Sequence, residues 1–141
     1  MGNNGFLNLG DGLHLIFHDP SINKMDLLTE LFVTANGRLN RKSFIYRCLF
    51  LSLVFGILNV ILQIVGVITF VIPMYVIQFI FSAINAVCTL TLSIRRLHDV
   101  GRCGLWVLFA FIPLLNLIFF LYLICKRGDT GPNDYGPDPL Q

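Results

Sequence analysis

The chain has 141 residues, of which 55% are hydrophobic and 13% charged, with ten Lys or Arg against eight Asp or Glu. A soluble globular domain carries about 25% charged residues, so a mean hydropathy of +0.74 excludes that class and places a single domain in a bilayer. An all-α membrane protein is expected, with no cofactor and no nucleic-acid partner.

Residues 1–23 read as a flexible tail. Met1 to Asp11 holds Asn and Gly but no basic start followed by an apolar stretch, so no cleavable signal peptide is expected. Gly2 lacks the hydroxyl residue four positions on that myristoylation uses. His14 and His18 stand four apart beside Asp19, but the neighbouring glycines and missing further ligands argue against a metal. From Lys24 to Ala35 the pattern changes. Met25, Leu28, Leu31 and Phe32 share one helical face while Asp26 and Glu30 turn away, as in a short amphipathic interfacial helix.

Residues 24–141 form one membrane domain in this reading, ordered by the gaps between charges. Cys48 to Ile94 is 47 residues long without Asp, Glu, Lys or Arg, and Cys103 to Cys125 is a further 23. A crossing needs roughly 20 apolar residues, because about 30 Å of hydrocarbon is traversed at about 1.5 Å per residue. The long run therefore holds two spans, broken between Phe70 and Met74 where Pro73 removes a backbone donor. Three transmembrane helices result, at about 48–69, 75–94 and 105–125.

The polar residues within the spans recur at helical spacing. Ser52, Gly56, Asn59, Gln63 and Gly66 form one stripe, and Gln78, Ser82, Asn85, Thr89 and Ser93 form another. A hairpin folded at Pro73 sets Asn59 near Asn85 and Gln63 near Ser82, with Asn116 midway along the third span. Hydrogen bonds across the helices are expected there, serving helix packing. A second reading of the same stripes is a solute pathway, although no buried ionisable group accompanies it.

Orientation follows from Lys and Arg. Arg38, Arg41, Lys42 and Arg47 precede the first span, and Arg95, Arg96 and Arg102 occupy the second loop. The N-terminus and that loop are thus expected in the cytoplasm. Three full spans put the C-terminus outside with Lys126 and Arg127, slightly against the rule. A second arrangement keeps all ten basic residues inside, by letting Leu105 to Cys125 enter and return as a hairpin broken at Pro113.

The basic stretches carry the most specific local pattern. Arg95 and Asp99 are four apart and can pair at the helix end, with His98 and Arg102 in a looser relation, and Gly101 supplies a left-handed stop. Alternatively Arg38, Arg41, Arg95, Arg96 and Arg102 form a cluster for lipid or phosphate, since guanidinium forks match phosphate oxygens. His98 beside Asp99 suggests a general base, but adjacent helical residues do not face each other. No other catalytic motif completes a reaction. Cys48, Cys88, Cys103 and Cys125 lie singly and form neither zinc nor redox motif. The Gly- and Pro-rich residues 126–141 read as a turn-rich cap.

Three stretches, Gly37 to Phe44, Arg95 to Gly104 and Gly128 to Pro139, in this order around these spans, resemble the bacterial inner-membrane family called domain of unknown function 805. The resemblance covers roughly Asp26 to Pro139. It rests on Gly37, Arg38 and Arg41, on Arg95, Arg96, Leu97, His98, Asp99 and Gly104, and on Gly131, Asn133, Tyr135, Gly136, Pro137 and Pro139. Cys103, Leu105 and Asn116 depart from the family pattern. The resemblance implies a small bacterial inner-membrane protein and brings no activity with it.

Two functions are compatible with these residues. The first is a non-enzymatic membrane adaptor or envelope component whose arginine-rich cytoplasmic face holds anionic lipid or a protein partner. The second is a subunit of an oligomeric channel or transporter lined by the polar stripes, in which case a homo-oligomer is the expected form.

Overall fold

The computed structural model of the chain describes residues 23–69 and 72–140, together with His14. Most of the tail expected at residues 1–23, His18 included, lies outside the described residues.

From Lys24 on, four α-helices and one 3₁₀ segment follow one another among the described residues, which hold no strand. Helix α1, Lys24–Phe32, is started by Asn23, whose Oδ1 accepts the Met25 N–H at 3.2 Å. It buries Leu27, Leu31 and Phe32. Met25 and Leu28, expected on that same face, are exposed, so the packed face is turned from the one the sequence suggested.

Helix α2, Arg41–Thr69, and helix α3, Ile72–Asp99, are 29 and 28 residues long. At about 1.5 Å per residue each is roughly 42–44 Å long, more than the hydrocarbon thickness. Asn40 begins α2 by accepting the Ser43 N–H on its Oδ1 at 2.8 Å. Pro73 sits in the first turn of α3, where its missing N–H leaves no helical bond unmade. Both helices run past the apolar stretch, beginning seven residues before Cys48 and ending five after Ile94. Helical hydrogen bonding does not stop where charge begins.

Spans of Arg41–Gly66 and Met74–Asp99 are long and apolar enough to cross a membrane, and only 6% and 17% of their most apolar stretches are buried. That exposure separates them from the core helices of a soluble protein, whose apolar faces are covered. The core gathers instead at one end, from Leu27, Leu31, Phe32, Leu39 and Phe44 to Leu92, Leu97, Phe119 and Leu123. Phe32 stacks on Phe50 there, with centroids 5.9 Å apart.

The third apolar run is not one helix, which corrects the expected third span. Gly104–Phe111 is 3₁₀ and α4 is Pro113–Cys125, 13 residues long. Proline at 113 cannot donate to Phe109 and disfavours helical backbone at the residue before it, and Ile112 is accordingly extended at φ −99°, ψ 113°. Neither half approaches 30 Å, being roughly 16 and 20 Å long at the rises of the two helix types. Both ends of the run return to the same place. Gly104 lies against Ile94 and His98 of α3, so closely that a Cβ would come within 3.0 Å of Ile94 Cγ2. At the other end, Leu123 O accepts a hydrogen bond from Arg96 of α3.

Candidate functional site

Helix C-termini leave their last carbonyls without intrahelical partners. Those of α1, α3 and α4 meet at the core end, and side chains supply the missing donors. Around α1, Arg47 Nη1 donates to Leu31 O at 2.6 Å, Arg95 Nη1 to Glu30 O at 3.0 Å and Thr91 Oγ1 to Phe32 O at 2.6 Å. For α4, Arg96 Nε donates to Leu123 O at 3.0 Å, and Arg96 Nη2 donates to Lys126 O. Helix α3 is closed by Gly101 at φ +67°, with Arg102 N–H on Leu97 O at 2.9 Å and Gly101 N–H on His98 O at 3.2 Å.

Asp99 is the centre of this arrangement. Its Oδ1 accepts from Arg38 Nε at 3.2 Å, and its Oδ2 accepts from Arg96 Nη1. All three side chains are buried, Arg96 completely. Burying a charge is costly without a partner and enough hydrogen bonds. Here one carboxylate meets two guanidiniums, whose remaining donors meet carbonyl oxygens. Arg38 Nη1 reaches Gly131 O at 2.6 Å and Arg38 Nη2 reaches Asp129 O at 2.5 Å.

Those two carbonyls belong to residues 126–140, which fold back over the helix ends. Asp129 N–H donates to Asp99 O at 2.8 Å, and Asn133 Nδ2 donates to His98 O at 2.9 Å. Tyr135 stacks on His98 with centroids 4.0 Å apart and planes 3° from parallel. Gly128 passes so close to Asp99 that any Cβ would strike the carboxylate. Asp138 closes the turn by accepting Gly131 N–H on Oδ2 and Leu140 N–H on Oδ1, each at 2.9 Å. These two donors hold its carboxyl below the ordinary carboxylate range.

The residues singled out from sequence divide sharply. Arg38, Arg95 and Arg96 are buried and face backbone carbonyls, while Arg41 and Arg102 are exposed. Asp99 pairs with Arg96 and Arg38, whereas Arg95 turns towards Glu30 O. His98 does not meet Asp99 but lies under Tyr135, its Nδ1 3.4 Å from Gly37 O. Arg102 lies over Trp106, 5.0 Å from the ring centroid.

Within the spans, Asn59 and Asn85 are half-buried, as is Asn116, while Gln63 and Ser82 are exposed. Asn59 Nδ2 donates to Phe55 O in its own helix at 2.8 Å. Asn85 and Ser52 share with Phe120 a cleft of about 280 Å³ between α2, α3 and α4. Among the described residues no hydrogen bond links these five side chains across the helices.

Several contributors escaped the sequence reading. Arg47, Thr91 and Asn133 bond across 16, 59 and 35 residues, separations that no local spacing announces, while Asp138 bonds within its own turn. Lys42 and Arg127 join Arg41 around a cleft of about 420 Å³ between the start of α2 and the C-terminal cap. Their signal was only positive charge beside an apolar run.

A family model described as "Protein of unknown function (DUF805)" matches residues 32–137. Inner membrane protein YhaI of Escherichia coli strain K12 is 35% identical over 108 residues, covering 77% of this chain and 87% of the relative. The same protein from E. coli O157:H7 matches equally. No solved structure matches. The matched region contains every helix from α2 to α4 together with Arg38, Arg96, Asp99 and most of the cap, and the chain belongs to the DUF805 family of membrane proteins.

Proposed function

We propose that the protein is a two-span bacterial inner-membrane protein with its N-terminal segment, second loop and C-terminal cap all in the cytoplasm. It acts there as a non-enzymatic adaptor or envelope component. The observation that carries this reading is the meeting of both ends of the third apolar run beside Asp99 and Arg96. A run that leaves and returns to one end enters only one leaflet. It brings Lys126 and Arg127 to the side of Arg38, Arg41, Lys42, Arg95, Arg96 and Arg102, as the preference for basic residues inside requires. The E. coli relative carries an inner-membrane name, which supports the location.

Adaptor function is favoured because buried Arg38, Arg96, Asp99 and Asp138 are engaged in holding the cap, while exposed cations ring it. Arg41, Lys42, Arg102, Lys126 and Arg127 are all exposed. Such a rim meets the negative inner leaflet at about 1 kcal/mol per basic residue. Helix α1 then lies along the interface, presenting Met25 and Leu28, which the core leaves uncovered.

Sidedness tests the proposal. In a variant with Cys48, Cys88 and Cys125 replaced by Ala, the exposed native Cys103 and, separately, Thr130→Cys are probed with an impermeant maleimide. Both are expected to react in inside-out vesicles and to stay unlabelled in intact spheroplasts, whereas Tyr75→Cys reacts from outside. Labelling of Thr130→Cys from outside would restore a third full crossing and reject the proposal.

A further inference from the structure

We propose that the cleft between the start of α2 and the C-terminal cap is a binding site for a phosphate ester, held by Arg41, Lys42 and Arg127. The inference deepens the adaptor reading and rests on its sidedness, because it replaces a diffuse cationic rim by one built site. The cleft measures about 420 Å³, within the range of cavities that enclose small ligands.

The charge arrangement selects the ligand. Three carboxylates also line the cleft, those of Asp99, Asp129 and Asp138, and two of them are bonded on both oxygens within the chain. Asp99 is bound on both oxygens by Arg38 and Arg96. Both oxygens of Asp138 accept backbone N–H groups. Asp129 leans over Gly101, its Oδ2 3.5 Å from Asn133 Nδ2. The cations differ: among the described residues, the side chains of Arg41, Lys42 and Arg127 make no hydrogen bond or ion pair. The cleft thus holds three positive groups that none of its carboxylates binds.

Position and geometry name phosphate. Arg41 and Lys42 are the first residues of α2, where the positive end of the helix dipole adds to their charge. Arg127 approaches from the cap on the other wall. Two guanidiniums from different elements together with an ammonium suit a tetrahedral anion with several oxygens. The cleft also lies at head-group height. Tyr46 and Leu49, exposed on the same helix, begin the apolar surface only about 7–12 Å further along. A phospholipid head group and a soluble phosphate ester share the recognised chemistry, and the two sources separate by experiment.

The full-length chain in neutral detergent is titrated with phosphatidylglycerol, phosphatidylcholine, glycerol 3-phosphate and inorganic phosphate, with binding read by native mass spectrometry. Each of Arg41→Gln, Lys42→Gln and Arg127→Gln is expected to weaken phosphatidylglycerol binding about fivefold, and the triple variant roughly a hundredfold. Arg41→Lys with Arg127→Lys retains binding within an order of magnitude. Lys24→Gln, which removes charge outside the cleft, changes it less than twofold. Tight binding of phosphatidylglycerol with weak binding of the soluble phosphates assigns a lipid, and the reverse assigns a soluble ester; both support the site. Loss in the outside variant equal to that per residue in the cleft would overturn the site while leaving the cationic adaptor standing. So would a triple variant that binds like the parent. An inverted labelling pattern in the sidedness experiment rejects the adaptor reading independently of any lipid measurement.

Discussion

Replacing Asp99 by Asn tests whether the buried charge network holds the helix C-termini and the cap together. The amide keeps the size of the carboxylate and an oxygen for Arg38 Nε, which lies 3.2 Å away in the parent. It leaves Arg38 and Arg96 buried with no counter-charge, and arginine cannot shed its proton to escape. Their bonds to Gly131 O, Asp129 O, Leu123 O and Lys126 O survive, so the loss is confined to the charge and to the Arg96 Nη1 bond, which the amide NH2 in place of Oδ2 cannot accept. Breaking a buried ion pair from one side costs about 3–5 kcal/mol. A second guanidinium at the same carboxylate pushes this case to the upper part of that range. In a chain of this size such a loss lowers the unfolding midpoint by on the order of 10 °C. Thermal unfolding in detergent, followed by Trp106 emission and by retention on size exclusion, measures it. A midpoint within 2 °C of the parent would refute the reasoning, because it would mean that water reaches Arg96 and screens the pair.

Two more predictions probe the cap. Gly128→Ala places a Cβ 2.8 Å from Asp99 Cγ and is expected to cost about 1–3 kcal/mol by overpacking. Gly56→Ala points into open space and is neutral or stabilising by up to about 1 kcal/mol, so thermal midpoints of the two variants in one detergent must move apart. Asp138 supplies a pH dependence. Its carboxyl is held below its ordinary value by the N–H groups of Gly131 and Leu140, so its contribution is complete above the unfolded pKa of about 3.9 and fades as pH falls through the lower folded value. Protection of the Gly131 amide against hydrogen exchange is expected to drop in acid, and Asp138→Asn removes that step.

How much of this was legible in the sequence varies from element to element. The two long helices were, because a run of 47 residues without charge has one physical solution in lipid. The stop at Gly101 was legible for a similar reason, since only glycine adopts φ +67° without strain. The ends of the spans were not, since the helices continue into charged sequence where neighbouring segments cover them. Pro113 was read as one of two outcomes for the last run. Proline forbids a straight helix there, but whether the chain then kinks or turns back depends on what waits at the far end. Arg96 holding Leu123 O answers that question, and the contact spans 27 residues. Arg95 was the natural partner for Asp99 at four residues. Arg96 at three won because Arg95, about 100° round the helix, faces the end of α1 and takes Glu30 O.

Positive charge beside a membrane helix has two physical uses that look the same in a sequence. One arginine can face lipid phosphate, and another can turn back onto the carbonyls of its own fold. Burial separates them here. The residues that carry the family resemblance include Arg38, Arg96, Asp99, Asn133 and Tyr135, which are those that tie the helix C-termini to the cap. Their pattern therefore describes how the end that carries the cap is built. In the proposed reading, recognition falls to the cations that this construction leaves uncommitted. A lysine in place of Arg96 could not replace it, because one ammonium cannot place donors in the fixed plane that joins Leu123 O, Lys126 O and Asp99. At Arg41 or Arg127, if they meet a ligand as proposed, lysine keeps the charge though not the fork, and binding is expected to fall by less than an order of magnitude. The contrast between those substitutions divides the arginines that build the protein from those that act for it.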